Sequence, residues 1–221
     1  MKKEERLRKQ IERLAEMKQT EAELHRQGYQ YIAGVDEVGR GPLAGPVVTA
    51  AVVLPEDFDV PGIDDSKKLS PKRREELYEV IMERALAVGI GQADHQVIDD
   101  INILQATKQA MRQAVQEADE ALKKGPAGGS IDFVLLDAVQ LEGLTIPQHA
   151  MIKGDANVLA IAAASIIAKV TRDRMMVEYA KEYPWYAFEN NKGYGTKVHY
   201  EGIREHGICP IHRKTFLKNI L

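Results

Sequence analysis

Tyr31-Ile-Ala-Gly-Val-Asp36 and Val47-Val-Thr-Ala-Ala-Val-Val-Leu54 are two short apolar runs, separated by Glu37-Val-Gly-Arg-Gly-Pro-Leu-Ala-Gly-Pro46. Small and β-branched residues with no charge inside either run predict two strands, and the short connection through Gly39 to Pro46 makes them neighbours with an antiparallel start. Pro55 ends the second run.

Working outward, Ser70-Pro71 supplies an N-cap and a proline at the first helical position, predicting a helix to about Val88. A third short strand follows near Val88 to Ala93. A long helix is expected from near Asn102 to Lys124, stopped by Gly125-Pro126. Phe133-Val-Leu-Leu-Asp137 reads as a short strand ended by a carboxylate, and His149 to Lys153 as a weaker fifth strand. The segment from about Asn157 to Glu182 is apolar on nearly all sides in its first half, so that half of the helix should be buried. Thr196 to His206 is another capped helix, with Gly207 beyond it. On the amino side, Lys2 to Arg26 places Leu7, Ile11, Leu14, Met17 and Leu24 on helical spacing amid charge, and Gly28 closes the segment. The expected fold is α/β, a mixed sheet flanked by helices with a helical carboxy-terminal portion. Residues 1–28 read as an amphipathic helical extension and residues 29–221 as the main domain.

The 221 residues are 44% hydrophobic and 29% charged, the balance of a globular protein. A single cysteine, Cys209, excludes an intramolecular disulfide and a Cys-rich zinc site, and His199 and His212 lack metal-ligand spacing with it. The longest apolar run falls short of a membrane span and the amino end is charged, so neither a signal peptide nor a membrane partner is expected; the cytoplasm is. The net charge of -3 conceals a split. Residues 1–27 carry eight Lys/Arg against six Asp/Glu, residues 28–168 twelve against twenty-one, and residues 169–221 ten against six. An acidic middle between basic ends can place carboxylates at a metal centre and cations around a polyanion, although such splits also arise by chance.

Asp36 and Glu37 end the first strand just before Gly39-Arg40-Gly41. Neighbouring side chains on a strand point to opposite faces, so both reach one site only where the strand ends or kinks. Asp137 also ends a strand, and Asp155 follows Lys153-Gly154 at the mouth of the buried helix. If these four acids converge, their repulsion raises at least one pKa unless a divalent cation neutralises them, and oxygen-only ligands suit Mg²⁺ or Mn²⁺. Asp155 reads equally well as an N-cap, and Asp137 can be a turn residue. Glycines on either side of Arg40 leave backbone N–H groups free to approach phosphate and sugar oxygens, while a hairpin loop with a surface arginine is the plainer reading. Residues alone thus point to a metal-dependent hydrolytic or phosphoryl-transfer site.

Gly34-Val-Asp-Glu-Val-Gly-Arg-Gly-Pro-Leu-Ala-Gly-Pro46 resembles the amino-terminal signature of bacterial ribonuclease HII, the type 2 ribonucleases H. Asp64-Asp-Ser-Lys-Lys-Leu-Ser70, Leu136-Asp137-Ala138, Lys153-Gly154-Asp155, Ile161 to Asp173 and Gly193-Tyr-Gly-Thr196 follow in that family's order, so the resemblance covers about Tyr31 to Phe216. It implies an RNase H-like fold and a site of two Mg²⁺ or Mn²⁺ ions held by Asp36, Glu37, Asp137 and Asp155. It implies that Gly39, Arg40 and Gly41 contact the ribonucleotide and its 2′-hydroxyl, and that Tyr194 stacks near the next sugar. The substrates implied are RNA-DNA hybrids and duplex DNA carrying ribonucleotides. Lys67, Lys68, Lys169, Arg172 and Lys192 are candidate phosphate contacts, with solvated surface charge the default for any one of them. Ser165 is expected to bond a carbonyl one turn back. A monomer and a sliding-clamp-type partner belong to the same expectation. The rivals are a ribonuclease HIII-like hybrid nuclease, whose corresponding turn typically lacks the Gly-Arg-Gly triplet, and a non-catalytic nucleic-acid-binding module of the same fold.

Overall fold

In the computed structural model, which describes residues 3–218, the two runs form antiparallel strands β1 (Ile32–Val38) and β2 (Val47–Val53). They are in register from Ala33 opposite Val53 to Val38 opposite Val48. β3 (Ala87–Ala93) joins β2 antiparallel, whereas β4 (Phe133–Asp137) pairs parallel with β1 and β5 (Gln148–Met151) parallel with β4. The order is β3-β2-β1-β4-β5. Parallel pairing of β1 with β4 matters most for function, because it sets two strand ends that carry acids side by side.

Every residue of β2 is buried because helices cover both faces of the sheet. Ala50 and Val52 pack toward Ile166 and Ile167 of α6 (Leu159–Glu182) and Leu77 and Ile81 of α3 (Pro71–Arg84). Ala51 and Val53 face Met111, Ala114 and Ala118 of α4 (His95–Lys124). Burying each such leucine or isoleucine stabilises the fold by about 1.5–3 kcal/mol, so an α6 apolar on all sides is consistent with its position between sheet and helices. Gly34 sets the closeness of that contact, since a Cβ there would lie 2.1 Å from the Ala160 carbonyl carbon.

Several boundaries differ from expectation. The amino-terminal segment is two helices, α1 (Lys3–Met17) and α2 (Gln19–Arg26), and its expected first residue, Lys2, lies outside the described residues. The break is confined to Lys18, which stays in the helical region and whose ammonium donates to the Glu56 carbonyl at 2.7 Å and the Phe58 carbonyl at 3.1 Å. Leu14 and Met17 are buried in the α6 cluster, while Leu7 and Ile11 stay exposed. α4 starts at His95 under an Asp94 cap and kinks at Asn102 (φ 67°), whose side chain accepts from the Leu104 and Gln105 amides. The expected helix start is that kink. The long carboxy-side helix is likewise interrupted: α5 (Gly154–Asn157) makes one turn, Val158 is extended, and α6 restarts at Leu159. Asp155 therefore does not cap the long helix. Glu21 of α2 takes that place, accepting from the Ala160 amide at 2.9 Å.

Beyond α6, α7 (Phe188–Asn191) and α8 (Lys197–His206) build a separate small core of Met176, Tyr186, Phe188, Ile203, Ile211 and Leu217 around Leu43 and Ala44. The loop between β1 and β2 is thereby packed into the carboxy-terminal portion. Among the described residues, no helix is long and apolar enough to cross a membrane.

Candidate active site

β1 and β4 are paired up to Val35 opposite Leu136, so Asp36 and Asp137 occupy the next position on adjacent strands. Met151, opposite Asp137 on β5, leads through a left-handed Lys153 (φ 60°) into α5, where Asp155 sits in the first turn. Asp137 Oδ1 accepts from the Gly154 amide at 2.7 Å, tying the third acid to the turn that presents the fourth. Glu37 is the neighbour of Asp36, and its own amide donates to Asp36 Oδ1 at 2.7 Å.

The acids feel one another. Burial, then the Glu37 charge, with Asp137 adding, lifts the Asp36 carboxyl well above its ordinary range against the opposing hydrogen bonds of Ser165 and the Glu37 amide. Burial also raises Glu37, with Arg40 opposing and Asp137 adding. Asp137 is raised by burial and by Asp155, against the Gly154 amide. Lys67 stands over this group, 3.6 Å from Asp155. Burial disfavours its ammonium, but the summed attraction of Asp155, Asp65 and Asp36 outweighs that and raises its pKa.

Three buried or half-buried carboxyls with raised pKa values are a surplus of negative charge that a divalent cation would neutralise. Glu37 Oε2 fits that reading, because it is buried and has no hydrogen-bond partner. As the side chains stand, no three His, Cys, Asp or Glu among the described residues close around a common point. The acids are held instead by contacts with Gly154, Ser165, Arg40 and Lys67.

Beside the acids, Gly39 has φ +95°, and a Cβ on it would lie 2.2 Å from Arg172 Nε. Arg40 is exposed, with Nη1 3.4 Å from Glu37 Oε1. A Cβ on Gly41 would touch the ring of the exposed Tyr194 at 3.4 Å, so the Gly-Arg-Gly turn and Tyr194 form one surface. The basic residues behave differently from one another. Lys68 pairs with Asp64 at 3.1 Å and Lys169 with Asp173 at 2.7 Å, while Lys192 Nζ donates to the Glu189 carbonyl. Arg172 is no phosphate contact. It is fully buried, and its guanidinium donates to the carbonyls of Pro46, Lys192 and Ala44. A helix that lies under the β1–β2 loop turns this arginine inward, which local sequence does not reveal.

Ser165 also departs from expectation. Its hydroxyl lies 2.9 Å from that of Ser66 and bonds Asp36, rather than a carbonyl one turn back. Ser66, in the short 3₁₀ turn 66–68, and Arg213 are residues that sequence reasoning does not single out. Arg213 is fully buried and donates to the carbonyls of Gly39, Arg40 and Gly45 at 2.6–3.0 Å. Its only sequence signal is a charge near the carboxy end.

A mixed sheet covered on both faces, with acids at the carboxyl ends of neighbouring parallel strands, places the molecule among endonucleases of the ribonuclease H type. Comparisons narrow this. Residues 33–219 match the sequence model of Ribonuclease HII. Ribonuclease HII of Enterococcus faecalis is 57% identical over 201 residues, 91% of this chain and 75% of that protein. The ribonuclease HII in the PCNA:RNase HII complex from Archaeoglobus fulgidus superposes with TM-score 0.66 at 27% identity, over 83% of this chain and 93% of that one. Bst-RNase HIII in complex with Mn²⁺ shares the fold, with TM-score 0.59 at 19% identity over 87% of this chain and 66% of that one. The chain belongs to the ribonuclease HII family.

Proposed function

We propose that this endonuclease cuts on the 5′ side of a ribonucleotide, in RNA-DNA hybrids and at single ribonucleotides embedded in duplex DNA. The products are 3′-hydroxyl and 5′-phosphate ends, suiting roles in ribonucleotide excision and RNA primer removal. The observation that carries the reading is adjacency: the raised carboxyls of Asp36, Glu37 and Asp137 lie beside a turn whose Gly41 abuts Tyr194. Hydrolysis needs charge neutralised at a phosphate, and telling RNA from DNA needs close approach to one 2′-hydroxyl.

Asp36, Glu37, Asp137 and Asp155 would hold two Mg²⁺ or Mn²⁺ ions, the buried free Oε2 of Glu37 among the donors. When bound, such ions supply an activated water and neutralise the leaving 3′-oxygen. Lys67 holds a positive charge over the acids and offers it to the scissile phosphate as they take up cations. Gly41 leaves the backbone of the turn open to the ribose while Gly39 makes room for Arg172 beneath it, Arg40 faces the phosphates, and Tyr194 supplies a flat ring for the following sugar. Lys169, already paired with Asp173, lends only a partly compensated charge to the strand. Because the Archaeoglobus relative is seen with PCNA, a sliding clamp is the partner we propose for a monomeric enzyme working in the cytoplasm.

The test is cleavage of a DNA duplex bearing one ribonucleotide, with and without added Mg²⁺ or Mn²⁺, against an all-DNA control. A metal-dependent nick 5′ of the ribonucleotide is expected. Equal cutting of the control, or none of either duplex with metal present, overturns the reading.

A further inference from the structure

Cys209, Ile211, His212 and Arg213, in a strip of which only Pro210 is exposed, are buried beneath both halves of the recognition surface. Gly45 N–H donates to the Ile211 carbonyl at 2.9 Å, Arg213 N–H to the Leu43 carbonyl at 2.8 Å, and Leu43 N–H to the Gly193 carbonyl at 2.8 Å. The side chains continue the pattern. Arg213 gathers the Gly39, Arg40 and Gly45 carbonyls, while His212 Nε2 meets His199 Nε2 at 2.9 Å and His199 Nδ1 meets the Tyr194 carbonyl at 2.9 Å.

Those contacts admit one assignment of protons for two neutral rings. A carbonyl only accepts, so His199 Nδ1 carries the hydrogen and donates to Tyr194. His199 Nε2 is then an acceptor, and His212 Nε2 must donate to it. His212 Nδ1, left bare, accepts from the Cys209 amide at 2.9 Å, with the thiol 3.1 Å away. The Cys209 carbonyl lies 3.3 Å from the same nitrogen, but a hydrogen there would point into the nearer amide hydrogen. Both rings are buried, which keeps them neutral. Edge contacts with Tyr186 and Phe188 fix their planes.

We propose that Arg213 and the His212–His199 pair are positioning residues for ribonucleotide recognition: Arg213 sets the carbonyls of the Gly-Arg-Gly turn, and the pair sets the backbone of Tyr194. None of the three touches substrate. The inference rests on reading Gly39–Gly41 and Tyr194 as the surface that recognises the ribonucleotide. Displacing such a surface by a fraction of an ångström should weaken selection of the substrate that depends on it most, a lone ribonucleotide in DNA, more than cleavage of a continuous hybrid.

The experiment has two arms. ¹⁵N NMR of the histidine rings should show His199 protonated at Nδ1 and His212 at Nε2, and the Tyr194 carbonyl ¹³C shift should move in His199→Phe. The opposite tautomers, or an unmoved carbonyl, overturn the proposal whatever the enzyme cuts. In the second arm, kcat/KM is measured on single-ribonucleotide duplex and on long hybrid for His199→Phe, Tyr194→Ala and the double variant. The ratio of the two should fall about ten- to a hundredfold in His199→Phe, with no further fall when Tyr194→Ala is added. Equal losses on both substrates, or additive losses, would mark a merely structural role. Arg213→Lys, which keeps the charge but cannot span three carbonyls, should lower the same ratio and serves if His199→Phe does not fold. If the wild type itself shows no preference for ribonucleotides, the functional reading fails while the NMR arm still decides the bracing.

Discussion

Arg172→Met distinguishes a strand-binding arginine from a loop-holding one. The guanidinium donates to Pro46 at 2.8 Å, Lys192 at 2.8 Å and Ala44 at 3.1 Å, and none of its surface reaches solvent. Burial pulls its pKa from 12.5 down to about 10, against the opposing pull of Tyr194 and Asp173. That shift corresponds to a desolvation cost of about 3 kcal/mol. Three hydrogen bonds from a charged donor contribute about 1.5–3 kcal/mol each, or roughly 4.5–9 kcal/mol together. The bonds win, and methionine, which fills similar volume but donates nothing, should cost the fold roughly 3 kcal/mol. For a chain of this size the midpoint of thermal unfolding then falls by roughly 6–12 °C. Duplex binding measured against salt concentration supplies the second readout. A lost phosphate contact would flatten the slope of log K against log salt by about 0.9, whereas a buried brace, which displaces no counterion and acts only through screened potential, changes it by clearly less. An unchanged melting temperature with a flatter slope would refute the assignment and restore Arg172 to the nucleic-acid surface.

Two further outcomes follow from the site and the carboxy-terminal core. Asp137→Asn should lower turnover more than about a hundredfold, since disturbing even the groups behind a metal ligand costs 10–100-fold. Duplex affinity should stay near wild type, and single-turnover cleavage at millimolar metal with parallel binding gels checks both. His212 is lowered to about 4 by burial and by repulsion from His199. The unfolded chain therefore binds a proton that the native state refuses, and stability falls as pH drops from about 6.5 through 4, by up to about 3 kcal/mol. The raised carboxyls of Asp36, Glu37 and Asp137 act with the opposite sign. Comparing urea midpoints of wild type and His212→Gln at pH 7 and pH 5 isolates the histidine, and the wild type should lose the more on acidification.

The strands were legible because their signals are local. The Val47–Val53 run has no charge to place in solvent, and Ser70-Pro71 and Thr196 cap the helices they were expected to cap. Asp137 at the end of β4 was legible for the same reason, whereas Asp36 and Glu37 do not end their strand, since β1 continues to Val38 opposite Val48, and their meeting with Asp137 depends on β1 and β4 pairing parallel across about a hundred residues. The breaks were not. The one-residue break at Lys18 falls inside a good helical pattern and leaves its backbone close to helical, and Val158 yields the amino end of α6 to a carboxylate from α2. Arg172 and Arg213 carry no local mark that separates a buried arginine from a surface one. Their burial follows from where the β1–β2 loop lies relative to α6 and the carboxy-terminal strip.

That loop joins two structures with different tasks. Asp36 and Asp137 ride on the sheet, while Tyr194, His199 and Arg213 belong to the carboxy-terminal portion, His199 and Arg213 buried beneath the exposed Tyr194. Holding the two in register with buried carboxylates would have added negative charge beside acids that already repel one another. Both arginines direct their donors to carbonyls instead, so their charges stay uncompensated by hydrogen bonds to acids. Burial lowers Arg213 only to about 9, which leaves it cationic at neutral pH. The brace therefore adds positive potential beneath the surface that meets a polyanion. A neutral replacement that restored every hydrogen bond would still weaken substrate association, most at low salt, where that potential is least screened.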